Sequence, residues 1–243
     1  MMKWLVFAKR NTREILRDPL TLLFGLGFPV ILLLLLTMIQ RNVPVSMFEL
    51  DHLTPGIVVF GYSFLALFAA LLGSRDRCTS FLLRLFSSPM GASDFILGYL
   101  LPMLPMAAVQ CLLTYAAAAL LGLELSIHVL ASGALSLVTA ALFISLGLLL
   151  GTVLNDKQVG GICGALLTNL SAWLSGTWFS LELVGGWFEK IAFWLPFANG
   201  VELGRAAIRG RYDSLTPYLW WCLAYAAAAV AGAIVVFRQK MKE

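Results

Sequence analysis

Charge is scarce in this chain. Of its 243 residues, 17 are Lys or Arg and 13 are Asp or Glu, 12% together, about half the share of an average soluble domain. Hydrophobic residues make up 60% and the mean hydropathy is +0.88, which excludes both an ordinary soluble domain and a disordered chain. Histidine is nearly missing: His52 and His128 stand alone, whereas a metal site needs clustered ligands. The cysteines Cys78, Cys111, Cys163 and Cys222 are scattered, without a C-x-x-C pair, and three lie in apolar runs. They read as small buried apolar residues, neither a disulfide framework nor a zinc site. A G-x-x-x-x-G-K-[ST] phosphate loop is also lacking, since Gly185-Gly186 followed by Lys190 does not have its spacing. The chain has no ATP-binding motif of its own.

What is present is a set of long apolar runs: Leu22–Ile39, Leu53–Gly73, Phe95–Leu121, Val129–Leu154, Val159–Phe179 and Pro217–Phe237. About 20 mostly apolar residues cross a bilayer as a helix, and each run is long enough. A shorter run, Leu181–Phe197, is interrupted by Gly185-Gly186, Glu189-Lys190 and Pro196. It reads as re-entrant or interfacial, which is tolerated only against other protein or water. The expectation is an all-α membrane protein, a single six-span domain over residues 1–243. Its parts are an N-terminal segment 1–21, a loop 74–94 between the second and third helices, and an outer connection 180–216 before the sixth.

Lys and Arg set the orientation. With the N-terminus inside, the inner side holds Lys3, Lys9, Arg10, Arg13, Arg17, Arg75, Arg77, Arg84, Lys157, Arg238, Lys240 and Lys242. The outer side holds Arg41, Lys190, Arg205, Arg209 and Arg211. Both termini are therefore expected in the cytoplasm, and this rule accounts for the net charge of +4 better than nucleic-acid binding does. The first apolar run starts too late, is too long and lacks an A-x-A-like site, so it reads as a retained helix and not a signal peptide. Ahead of it, Lys3, Arg10 and Arg17 recur every seven residues beside Arg13, while Trp4, Leu5, Ala8, Ile15 and Leu16 fall largely on another side. That pattern predicts a basic amphipathic helix in the inner headgroup region, or else a simple orientation signal.

The apolar cores of the six runs contain no Asp, Glu, Lys, Arg or His; Glu124, Asp156 and Glu182 lie at helix ends. Ion-coupled transporters usually carry ionisable groups in the membrane, so a self-powered transporter is disfavoured. Ser171 and Ser175 have no base in any helix core, which argues against an intramembrane hydrolase. Transport would then draw its energy from a partner; a scaffold without transport is the competing reading.

Arg13-Glu14-Ile15-Leu16-Arg17-Asp18-Pro19, Leu22-Leu23-Phe24-Gly25 and Phe28-Pro29 resemble the opening of the membrane subunits of type-2 ABC (ATP-binding cassette) exporters. Thr54-Pro55-Gly56 is similar to the head of their second helix. Their loop E-R-x-x-G-T-x-E-x-L-x-x-s-P is matched by Asp76-Arg77, Arg84-Leu85 and Ser88-Pro89, with Ser80-Phe81 and Leu83 replacing the Gly-Thr and Glu. Leu174-Ser175-Gly176, Trp187 and Leu195-Pro196 resemble the family's pattern around the fifth helix and the outer re-entrant segment.

The resemblance implies two such subunits, here a homodimer in a bacterial inner membrane, above two cytosolic ABC ATPase subunits that hold ATP and magnesium. It also implies that residues 76–90 form a coupling helix, with Asp76, Arg77, Phe81, Leu82, Leu85, Phe86 and Pro89 as the contact to the ATPase. The residues agree in part: Phe81, Leu82, Leu85 and Phe86 give that loop an apolar face to be covered by a partner, by lipid headgroups or by the bundle itself. In the family the second and fifth helices line a central path. Phe60, Phe64 and Phe68 recur every four residues on the second. Gly160, Gly164, Thr168, Ala172 and Gly176 form a small-residue ridge on the fifth, beside Asn169, the most polar side chain noted in any span. An apolar path with one hydrogen-bonding point suits a hydrophobic or amphiphilic small molecule, a drug or a lipid-like compound. A lipid-linked polysaccharide is the alternative cargo, and ordinary helix packing the alternative use of both stripes.

Overall fold

The computed structural model describes residues 3–42, 48–78 and 90–241, and among these all regular structure is helical. A first helix, α1 (Lys3–Arg17), ends one residue before Asp18. The Asp18 carboxylate accepts the Leu20 and Thr21 amides (3.1 and 3.5 Å) and Pro19 opens the next helix, a capped N-terminus that fixes the corner between α1 and α2 (Pro19–Asn42). The bundle continues with α3 (Leu50–Cys78), α4 (Ala92–Leu121) and α5 (Ile127–Val153). Gly122, at φ +118°, terminates α4 in the left-handed conformation that glycine adopts most easily. The next helix, α6, runs over 156–174 in three pieces: an opening α-turn capped reciprocally by Asn155 and Gln158, a π stretch Gly160–Leu167, and a final α piece Thr168–Leu174. Three short helices follow, α7 (Leu181–Val184), α8 (Gly186–Trp194) and α9 (Pro196–Ile208), and then α10 (Leu215–Lys240).

Among the described residues, five stretches are long and apolar enough to cross a membrane: Pro19–Asn42, Leu50–Arg77, Ala92–Leu121, Ile127–Val153 and Tyr212–Lys240. They correspond to the first, second, third, fourth and sixth apolar runs. The fifth run is helical over 156–174, with a π stretch at Gly160–Leu167 as the first span has at Leu23–Gly27, and is not among these five. Helix α3 extends past the expected loop boundary at residue 74 to Cys78, and α4 begins at Ala92.

The second span is the axis of the bundle. Within its best apolar window 78% of α3 is buried by the chain itself, against 17% for the last span. It packs most extensively on α5. Gly147 and Gly151 of α5 lie directly on the backbone of Ala66 and Ala70, and a Cβ on Gly151 would sit 2.6 Å from the Ala70 carbonyl oxygen. This is close contact through small residues at a four-residue repeat on both helices, the usual way to join helices where lipid offers no hydrophobic drive. Hydroxyls add cross-links: Tyr62 to Ser136 (2.9 Å), Tyr115 to Ser132 (2.6 Å), and Ser132 to the Gly204 carbonyl of α9 (2.9 Å). Helix α9 is almost wholly buried against α3, α5 and α10, although the sequence pattern marked its surroundings only as a broken segment.

Candidate functional site

The last turn of α3 is tied to five neighbouring elements through four of its side chains, Ser74, Arg75, Asp76 and Arg77. Asp76, 3% exposed, accepts Arg10 Nη1 and Nη2 at 2.7 and 2.9 Å, a bidentate pair, and Tyr99 Oη–H at 2.9 Å. Arg77 donates to the carbonyls of Thr152 (2.6 Å) and Leu154 at the C-terminal end of α5, where the helix dipole favours a cation. Ser74 donates to Asp156 at the start of α6 (2.5 Å), and Arg75 approaches Asp18 at 4.0 Å. The base of the central helix is thereby fastened to α1, α4, α5, α6 and the corner before α2.

Helix α1 reaches this joint because one of its faces is embedded in α4. Phe7, Ala8, Asn11 and Ile15 are buried, spaced as one helical face. Phe7 meets Phe95 and Tyr99 edge-on (5.5 and 4.9 Å between centroids) above Gly98, and Asn11 Nδ2 donates to the Gly98 carbonyl (3.0 Å). A side chain at Gly98 would displace Phe7. Arg10 also pairs with Glu14 at 2.7 Å. Burial alone would lower the Arg10 pKa, but the hydrogen bond and charge of Asp76, with help from Glu14, raise it. Burial is the largest influence on Glu14 and pushes its carboxyl up against the pull of Arg10.

Asp76 and Arg77 thus face inward and hold the bundle. The other predicted coupling residues, Phe81, Leu82, Leu85, Phe86 and Pro89, lie outside the described residues.

The phenylalanine stripe forms an aromatic column inside the chain. Phe60 and Phe68 are buried and Phe64 partly so. Phe64 meets Phe28 edge-on at 5.2 Å and stacks near Phe24 at 6.1 Å, and Phe60 runs edge-on into Trp178 at 5.3 Å. The column therefore packs α3 on α2, with Phe64 its more open member. On α6 the neighbouring residues Thr168 and Asn169 part company, as a 100° step per residue requires. Thr168 is buried and donates to the Cys163 carbonyl (3.0 Å); Asn169 is exposed and its amide donates to Ala165 (2.7 Å). The small-residue ridge packs inward at Gly164, where a Cβ would meet Leu67 at 3.5 Å, and is open at Gly160.

Gln110 and Arg205 are among the buried polar side chains that the sequence pattern did not single out. Gln110, in the middle of α4, is fully buried against Gly61 and donates to the Val58 carbonyl at 3.4 Å, with Oε1 unpaired. Its one visible signal was a lone amide in an apolar run. Arg205 is 4% exposed and donates from Nε to the His52 carbonyl (3.0 Å), from Nη2 to Gly176 (2.9 Å) and from Nη1 to Glu202 (2.9 Å). It locks α9 to the head of α3 and to the turn after α6, where Gly176 has φ +68°. Burial lowers its pKa, against the charge of Glu202.

This arrangement of a buried central helix, an N-terminal helix clamped to its base and a folded segment ahead of the last span accompanies a match to the family description "ABC-2 type transporter" over residues 2–208. The chain belongs to the ABC-2 type transporter family. The matched region runs from α1 to the end of α9 and leaves α10 beyond it. No curated protein matches the chain. As an ABC-2 family member it is a multi-pass permease component and not the ATPase, and permeases of this family generally work with a separate ATPase subunit.

Proposed function

We propose that this chain is the membrane permease of an ATP-driven exporter, one of two identical subunits above a pair of cytosolic ABC ATPases that bind ATP and magnesium. In this reading six helices span a bacterial inner membrane with both termini in the cytoplasm, α6 being the fifth span, α7–α9 the outer re-entrant connection and α10 the sixth span. Helix α1 lies at the inner interface. The cargo is a hydrophobic or amphiphilic small molecule, moving along α3 and α6 where two subunits meet, with Asn169 as the exposed polar contact and Phe64 of α3 as an apolar one.

The observation that carries this reading, beyond the family, is the joint at Asp76 and Arg77. Residues 79–89 follow directly from the last turn of α3, so a push on them acts on a helix fastened to five neighbouring elements. The test is Phe81→Asp with Phe86→Asp. The variant is expected to insert normally but to lose the co-purifying ATPase, or to keep it without cargo-stimulated hydrolysis. Wild-type co-purification and transport would remove the coupling role from this loop, and failure of the native protein to retain any ATPase would favour a scaffold.

A further inference from the structure

A groove of about 670 Å³ opens between α1, the corner at Asp18 and α3, within the range of about 300–1,000 Å³ typical of small-molecule clefts. Its mouth carries Arg13, Arg17 and Arg75; its floor is Phe68, Leu71, Leu72 and, from α4, Met103. The two zones are layered along α3. Phe68 lies seven residues from Arg75, about 10 Å of helix at 1.5 Å per residue.

The charge at the mouth is unbalanced. Four arginines and two carboxylates line the groove. Arg10 is taken up by Asp76 and Glu14, and Asp18 is occupied in capping α2 and reaches Arg75 only at 4.0 Å. Arg13 and Arg17, one turn apart, have no carboxylate partner among the described residues. Leu20 on the rim is 61% exposed, so the apolar side of the groove opens outward beside the charged mouth.

We propose that this groove binds an anionic phospholipid of the surrounding bilayer, its phosphate between Arg13, Arg17 and Arg75 and the upper part of one acyl chain against Phe68, Leu71 and Leu72. A soluble anion would leave the apolar floor unused, and an acidic face of a protein partner would not reach it. A zwitterionic lipid would leave the cationic excess uncompensated. The inference rests on the interfacial placement of α1 but not on transport, and its test needs no ATPase, so its failure is distinct from failure of the exporter reading.

The test is native mass spectrometry of the purified full chain in detergent, offered dioleoyl phosphatidylglycerol and dioleoyl phosphatidylcholine in equal amounts. The wild type is expected to retain phosphatidylglycerol preferentially, one per chain. Arg13→Gln with Arg17→Gln should weaken that retention roughly thirtyfold, from the contribution of two basic side chains at an anionic surface. Leu71→Trp, which fills the floor without touching the charge, should weaken it as well. Equal retention of the two lipids, or wild-type retention by the double variant, would overturn the proposal. So would displacement of the lipid by an equal concentration of sn-glycerol 3-phosphate, which would mark a small-anion site.

Discussion

Arg10 and Asp76 are 66 positions apart in sequence, yet Arg10 Nη1 donates to Asp76 Oδ2 and Nη2 to Oδ1, at 2.7 and 2.9 Å. The carboxylate is buried while the guanidinium is 37% exposed, so the aspartate depends on the pair more than the arginine does. Asp76→Ala removes the acceptor of Arg10 and Tyr99 together. The expected cost is about 2 kcal/mol, typical of hydrogen bonds to a charged group, with α1 and Tyr99 of α4 released from the base of α3. Asp76→Asn, which keeps an acceptor for Tyr99, should cost less. Thermal unfolding of the two variants in detergent checks the order, and equal melting temperatures would deny the pair a structural role.

Helix α5 offers a paired glycine test. Gly147→Ala drives a methyl into the Ala66 backbone and should destabilise by roughly 1–3 kcal/mol, the usual cost of overpacking. Gly133→Ala, on the same helix, meets Cys111 Sγ at an ordinary 3.7 Å and should be neutral or mildly stabilising. Matching losses of melting temperature in both variants would mean the close α3–α5 contact is not tight.

Glu14 makes stability depend on pH. It faces Arg10, Asp76, Arg75 and Asp18, and burial raises its pKa above the ordinary 4.5. The folded chain then binds this proton more tightly than the unfolded one, so stability falls as pH rises from about 4.5 through the raised value. Glu14→Gln is expected to melt higher than the wild type at pH 7, with the difference closing as pH drops toward the ordinary value. A difference that stays constant across that window would contradict the assignment.

Cys78 reports orientation. Cys111, Cys163 and Cys222 are buried, so labelling by a membrane-impermeant thiol reagent is tested at Cys78, the last residue of α3, with Cys78→Ser as the blank. Intact cells are expected to show no labelling until the membrane is opened. Labelling in sealed cells would invert the proposed topology.

The apolar runs at Leu53–Gly73, Phe95–Leu121 and Val129–Leu154 were legible because hydrophobicity over about 20 residues is a local property, set by composition and helix length. The capped corner at Asp18-Pro19 is equally local. The fifth run was legible as apolar, but its π stretch was not, since nothing in Gly160–Leu167 forbids an ordinary α-helix. What a residue faces is a different matter. Phe60, Phe64 and Phe68 fit an open path as well as a packed column until α2 is placed against them, and Thr168 and Asn169 look alike until one turns in and the other out. Asp76 and Arg77 read as part of a loop because their partners, Arg10, Tyr99 and the ends of α5, are far away in sequence. Arg205 read as an outer loop charge because His52 and Gly176, whose carbonyls hold it, come to it only when α9 enters the bundle. Composition determined that this chain is helical and spans a membrane; tertiary contact decided which polar groups are buried, because only a distant partner can compensate the loss of water around them.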